Sequence, residues 1–203
     1  MAWPTTLPLI AILRGITPED VAEHVEALLQ EGFEAIEVPL NSPDWEDSIQ
    51  RAVRQAGDRA LVGAGTVLSA ERASRVADLG GTLMVTPNTD PEVIRRARSR
   101  GLYTAIGFMT PTEAFAALAA GAQSLKLFPS SNLGPSYIKA IRAVLPPDVP
   151  LLAVGGVTPE NLGQFLDAGC IGAGLGGDLY KPGQPVSRTR EQAAAFVKAY
   201  RSN

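Results

Sequence analysis

Short runs rich in apolar and β-branched residues recur at 7–13, 33–40, 60–67, 82–86, 103–108, 124–128, 150–154 and 170–175. Each is followed by a longer segment whose apolar residues recur three and four positions apart, the spacing of an amphipathic helix. The pattern predicts eight strands alternating with helices, starting roughly 20 to 27 residues apart. Thr17-Pro18-Glu19-Asp20, Thr110-Pro111-Thr112-Glu113 and Thr158-Pro159-Glu160-Asn161 are read as helix starts, with a capping hydroxyl before Pro and acids in the first turn. Gly32, Gly57, Gly80, Gly101, Gly121 and Gly169 are read as helix ends, where a left-handed residue is wanted. Strands joined by crossover helices are parallel, and eight such units predict an α/β fold of the (β/α)₈ TIM barrel type. A doubly wound open sheet is the alternative, but no Gly-x-Gly-x-x-Gly follows the first strand.

Composition narrows this picture. The 203 residues are 45% hydrophobic and 19% charged, enough to bury a core, and no linker or low-complexity tract divides them, so 1–203 is read as one domain. No apolar stretch approaches the roughly 18 residues of a membrane span, and no secretory signal pattern opens the chain, so cytoplasm is the expected location and no membrane partner is expected. A net charge of −3 without a long basic block makes nucleic acid an unlikely partner. One cysteine, Cys170, and one histidine, His24, offer no metal-ligand cluster and no serine–histidine triad. No metal and no cofactor are expected. Cys170 is read as core and His24 as a surface or interface residue.

Candidate chemistry appears where the strand pattern is broken. Of four lysines, three lie in polar helix or loop contexts, whereas Lys126 sits inside the strand Ser124-Leu125-Lys126-Leu127-Phe128. Alternation puts Leu125 and Leu127 against helices and turns Ser124, Lys126 and Phe128 inward. Likewise Ile36, Val38 and Leu40 face helices and Glu37 faces the barrel axis. An amine and an acid enclosed together set each other's proton affinity. The expectation is that they communicate through water or substrate rather than by a tight ion pair, because a direct bridge would keep the lysine charged. A neutral amine condenses with a ketone to an iminium, the electron sink used by class I aldolases, and Glu37 would shuttle protons. A structural lysine paired to a carboxylate is the plainer alternative.

Other residues fall at the same strand ends. Arg14, after the first strand, suits a substrate carboxylate, and Thr66, after the third, offers a hydroxyl. Gly155 and Gly156 follow the seventh strand, and Gly176 and Gly177 the eighth, where barrels commonly hold phosphate on backbone N–H groups. Phe128 is read either as core or as a wall of the pocket.

Glu37-Val38-Pro39-Leu40-Asn41-Ser42-Pro43, Gly63-Ala64-Gly65-Thr66-Val67, Val85-Thr86-Pro87-Asn88, Leu125-Lys126-Leu127-Phe128-Pro129 and Val154-Gly155-Gly156-Val157 resemble the KDPG/KHG aldolase family in content and order. That resemblance implies a (β/α)₈ barrel, a homotrimer, and cleavage of a small 2-oxo acid phosphate to pyruvate and D-glyceraldehyde 3-phosphate. It makes Lys126 the Schiff-base lysine and Glu37 the general acid/base. It places Arg14 and Thr66 on the pyruvyl portion, Pro87, Phe128 and Val154 among the substrate-binding residues, and the glycines at 155, 156, 176 and 177 on the phosphate.

The chain departs from the gluconate-type members in two places. Pro39-Leu40-Asn41-Ser42 replaces their Thr-Leu-Arg-Thr, and Val154 replaces a threonine and so cannot hydrogen-bond a C4 hydroxyl, which implies a different stereochemical preference. Gly177 replaces the family's serine and removes a hydroxyl donor. Phe108 and Met109 replace small residues, and the expectation is that they narrow the pocket or make it more apolar. The sister activities on 2-dehydro-3-deoxy-6-phosphogluconate or 4-hydroxy-2-oxoglutarate remain open from sequence, as does a non-catalytic phosphate-binding barrel.

Overall fold

Alternating apolar and small side chains shape each of the eight strands: β1 (Leu9–Ile12), β2 (Ala35–Pro39), β3 (Leu61–Gly65), β4 (Leu83–Val85), β5 (Tyr103–Phe108), β6 (Ser124–Leu127), β7 (Leu151–Val154) and β8 (Gly172–Leu175). The computed structural model describes residues 2–203. The strands pair in parallel, in chain order, and β8 returns to β1 through Leu9↔Ala173, Ile10↔Gly174 and Ala11↔Leu175 to close the barrel. Around it lie α1 (Val21–Gln30), α2 (Trp45–Ala56), α3 (Ala70–Asp78), α4 (Pro91–Ser99), α5 (Pro111–Ala119), α6 (Ser130–Arg142), α7 (Leu162–Asp167) and α8 (Val186–Arg201). The fold is the (β/α)₈ TIM barrel that the strand count predicts, and no helix among the described residues is long and apolar enough to cross a membrane.

Two apolar layers follow from the alternation. Outward residues such as Leu9, Ala11, Ile36, Val38, Leu125 and Leu127 pack under the helices. Inward residues Ile10, Ile12, Ala35, Leu83, Val85, Tyr103, Ala105, Leu152 and Val154 fill the barrel, with Trp3 packed against them. Burying these side chains contributes about 1.5–3 kcal/mol for each large one. Several inward positions are glycine: Gly63, Gly65, Gly107, Gly172 and Gly174. They thin the interior where polar side chains must fit.

The three Thr-Pro signals behave differently. At Thr110 a full capping box forms, because the Glu113 carboxylate reaches back to the Thr110 N–H while the Thr110 hydroxyl accepts from the Glu113 N–H. At Thr17 the residue three further on is Asp20, whose carboxylate takes the Thr17 hydroxyl instead, and the helix starts only at Val21. At Thr158 the Asn161 side chain accepts from the Thr158 N–H, and the helix starts at Leu162. These two segments are turns leading into helices. The six glycines read as helix ends all have positive φ.

Two further expectations are corrected. His24 is not a surface residue: it is buried to 3% exposure, its Nδ1 is 2.8 Å from the Thr189 hydroxyl, and its ring meets Tyr180 edge-on. Phe108 does not reach the pocket. It lies on the outward face of β5 in the helix-packed layer, because Gly107 takes the inward position, and Met109 beyond it is exposed and lines no part of the central cavity.

Candidate active site

At the C-terminal mouth of the barrel lies a cavity of about 330 Å³. Its lining includes Arg14, Thr66, Pro87, Lys126, Phe128, Val154, Gly155, Gly156, Gly176 and Gly177, so every substrate-contact residue expected from the sequence is brought together there. Glu37 is not part of the lining. It lies beneath, on the inward face of β2 at 1% exposure. A wider surface depression of about 460 Å³ lies between the C-terminal ends of α1 and α8, but it is open to solvent and holds no buried charged side chain.

The central amine belongs to Lys126, 6% exposed, on β6 opposite Gly107 of β5 and Leu152 of β7. Desolvation pushes its pKa down to about 8, with Arg14 acting in the same direction and the Glu37 carboxylate opposing both. Relative to water, the charged form is disfavoured by about 3 kcal/mol, so about a tenth of the amine is neutral at pH 7. The Nζ also lies 4.9 Å from the centroid of the Phe128 ring, which stands at the rim and favours the cation while no substrate is attached. Phe128 is thus a wall of the pocket rather than core.

Burial is likewise the dominant influence on Glu37, raising its carboxyl to about 7 against the pull of Lys126 and Arg14. Its Oε2 is buried without a hydrogen-bond partner. No ion pair joins Glu37 to Lys126, as the sequence argument expects of an acid kept for proton transfer. Room for the carboxylate comes from the neighbouring strand: Gly65 follows Gly63, the residue paired with Glu37, and a Cβ at Gly65 would overlap the carboxylate.

Arg14, exposed at the end of β1, is aimed by its neighbours. Its guanidinium donates to the Asn41 side-chain oxygen at 2.6 Å and to the Thr66 hydroxyl at 3.4 Å. The Ser42 hydroxyl accepts the Gly15 N–H at 2.9 Å and so fixes the loop that carries Arg14. Thr66 itself is held at φ 57, a left-handed conformation rare for a β-branched residue and costing about 1–3 kcal/mol. Such strain is commonly found where a side chain must be presented to a ligand.

Opposite Arg14, the rim is backbone. Gly155 and Gly156 have φ of 96° and 70°, which no side-chain-bearing residue adopts freely, and they turn the chain tightly after β7. Nothing lies within 4 Å of where a Cβ would stand at Gly176 or Gly177, so that stretch opens onto the cavity. An anion could approach its N–H groups closely.

Sequence reasoning missed Ile12, Val157, Gly174 and Asp178, which also line the cavity, and Asn41, which orients Arg14. Ile12 and Gly174 were within reach of the alternation that placed Lys126. Val157, Asp178 and Asn41 lie in loops, which carry no period. Cys170 is buried and its thiol is pushed up to about 12, the behaviour of a core residue and not of a nucleophile.

A closed parallel barrel with a desolvated lysine, a buried acid beside it and an anion-ready rim defines a barrel enzyme of the Schiff-base type. Residues 3–188 match the family described as KDPG and KHG aldolase, and the chain belongs to that family. It is 62% identical over 201 residues, covering 99% of this chain and 98% of the relative, to 2-dehydro-3-deoxy-6-phosphogalactonate aldolase of Escherichia coli (strain K12). A solved native KDPGal structure superposes with a TM-score of 0.98 at 61% identity, covering 100% of this chain and 98% of that one. A designed cube-shaped, highly porous protein cage made by fusing symmetric oligomeric domains matches with a TM-score of 0.96 at 62% identity, over 98% of this chain and 73% of that one.

Proposed function

We propose that this protein is a cytoplasmic, homotrimeric class I aldolase that reversibly cleaves 2-dehydro-3-deoxy-6-phospho-D-galactonate to pyruvate and D-glyceraldehyde 3-phosphate. The observation that carries the reading is the enclosed, unpaired Lys126 amine with Glu37 beneath it in one cavity. In the neutral form, Lys126 Nζ adds to the C2 ketone, and loss of water gives the iminium. Glu37 takes the proton of the C4 hydroxyl as the C3–C4 bond breaks; the bonding pair moves into the iminium, leaving an enamine, and the aldehyde departs. Glu37 then returns the proton to C3, and water hydrolyses the resulting iminium to release pyruvate and the free amine.

Arg14, steadied by Asn41 and Thr66, receives the substrate carboxylate as a charge-assisted pair. Pro87 and Phe128 bound the pyruvyl portion. Gly155, Gly156, Gly176 and Gly177 receive the phosphate on backbone N–H groups. Val154, almost fully buried where the chain of the substrate would pass, offers only methyl groups, and this supports the galactonate configuration over the gluconate one, as does the 62% identity to the galactonate-type relative. Trimer formation is supported by the designed cage, built from symmetric oligomeric domains, and by the exposed apolar side chains Leu68, Met109, Phe115 and Val144.

The test is to treat the protein with pyruvate and borohydride and map the reduced adduct. Modification of Lys126, its loss together with all cleavage in Lys126→Ala, and a higher kcat/KM on the galactonate than on the gluconate epimer are the expected results. Active protein with an unmodified Lys126 overturns the mechanism; the opposite epimer preference overturns the substrate.

A further inference from the structure

His24 is the one buried imidazole of the chain, and the proposed reaction makes no use of it. It lies on α1, on the far side of a strap, residues 178–184, that runs from the Gly176–Gly177 rim to α8. Three side chains stitch the strap to the helices. Gln184 Nε2 donates to the Leu179 carbonyl at 3.0 Å and to the Thr189 hydroxyl at 2.7 Å, while Gln184 Oε1 accepts the Lys181 N–H at 3.0 Å. A flipped amide would set an N–H₂ against the Lys181 N–H, so the orientation is fixed by its partners. Thr189, fully buried on α8, already accepts a proton from Gln184, and the hydroxyl's own proton is directed to His24 Nδ1 at 2.8 Å. The imidazole is therefore neutral, with its proton on Nε2, and burial lowers its pKa although Asp20 and Glu23 pull it upward. Tyr180, in the strap, rests edge-on against the same ring at 5.0 Å between centroids. Gln192 of α8 donates to the Asp178 carbonyl at 2.8 Å.

The consequence falls on the rim. The Gly176 carbonyl accepts the N–H groups of both Leu179 and Tyr180, each at 2.9 Å, so the placement of those two residues sets the orientation of the peptides at Gly176 and Gly177. The network begins at His24 and ends at Leu179 and Tyr180. We propose that His24, acting through Thr189 and Gln184, is a positioning residue that holds the Gly176–Gly177 backbone in the geometry that receives the substrate's phosphate; this rests on the phosphate reading given above. The pyruvyl end is held separately, by the Asn41 and Ser42 hydrogen bonds to Arg14 and Gly15. Loosening the strap should thus affect the two ends unequally.

The experiment runs the reaction in the synthetic direction, with pyruvate and either D-glyceraldehyde 3-phosphate or D-glyceraldehyde. Thr189→Val keeps the shape and removes the hydroxyl. It is expected to raise KM for the phosphorylated aldehyde and Ki for inorganic phosphate about five- to tenfold, the size of one lost hydrogen bond, with kcat and all constants for D-glyceraldehyde unchanged. Thr189→Ser restores the wild-type values, and Gln184→Leu, at a half-buried position, reproduces the Thr189→Val defect should the latter fold poorly. His24→Asn, whose Oδ1 can replace the Nδ1 acceptor, falls between. Folded Thr189→Val and Gln184→Leu proteins with unchanged KM for D-glyceraldehyde 3-phosphate overturn the proposal, and so does equal impairment on both aldehydes, which marks general destabilisation. A wild-type protein that shows no preference for the phosphorylated aldehyde overturns the phosphate reading itself.

Discussion

The inner end of the cavity is made of side chains and its rim of main chain, and the two respond to different physics. At the inner end, Lys126 and Glu37 are almost fully buried and their proton affinities are displaced by desolvation toward each other, to about 8 and about 7. At the rim, Gly155, Gly156, Gly176 and Gly177 contribute no side chain, and whatever they bind is held by oriented N–H groups. The inner end therefore depends on what surrounds two functional groups, and the rim on how the backbone is bent. A substitution that only removes a charge should be severe below and mild above.

The sharpest way to test that contrast is Glu37→Gln, which keeps shape and removes the proton carrier. We expect cleavage to slow by about 10²- to 10⁴-fold while the borohydride-trapped pyruvate adduct still forms. The pH dependence should change too. Because the Glu37 charge raises the Lys126 pKa and burial lowers it, removing that charge lets the amine lose its proton at lower pH, and the rise of adduct formation with pH should move below the wild-type midpoint near 8. A shift to higher pH would show that the two groups do not sense each other.

Gly65→Ala asks whether the inner end depends on the space around the acid. A Cβ there overlaps the Glu37 carboxylate, so kcat should fall by about tenfold or more, as for an acid displaced by an ångström or so, while the KM for phosphate-bearing substrate stays close to normal. Steady-state kinetics beside a thermal melt distinguishes this from simple unfolding. Smallest is Gly177→Ser, which supplies the hydroxyl found elsewhere in the family at a position with open space around it. Inorganic phosphate should inhibit about fivefold more strongly, the worth of one added hydrogen bond, with kcat unaltered. An unchanged Ki would mean that Gly177 does not face the anion.

Much of this arrangement is readable in the chain because a strand has a period of two and a lysine among leucines violates it. Lys126, Glu37 and all eight strands follow from that rule, and the glycine loops from their position after the seventh and eighth strands. What escapes is whatever depends on partners remote in sequence. Thr189 lies 165 residues from the imidazole it binds, so nothing near His24 shows that it is buried. Asn41 reaches Arg14 across 27 residues, and the loop that carries it has no periodicity to reveal its aim. Phe108 was misjudged for a smaller reason: the residue before it, Gly107, takes the inward position, and alternation applied to β5 would have turned the phenylalanine outward. Likewise a Thr-Pro pair starts a helix at once only where a glutamate three residues on is long enough to reach back.

The seam between β1 and β8 joins the earliest strand of the chain to the last. On the ribosome, the guanidinium at position 14 emerges long before the glycines at 176 and 177 that complete the same cavity, and until β8 arrives the nascent sheet has two open edges. The earlier parts must wait, unsealed, for the final sixth of translation. Late truncation or a frameshift near the 3′ end would then remove more than a helix: it would leave a sheet with no closure, exposed to aggregation and proteolysis.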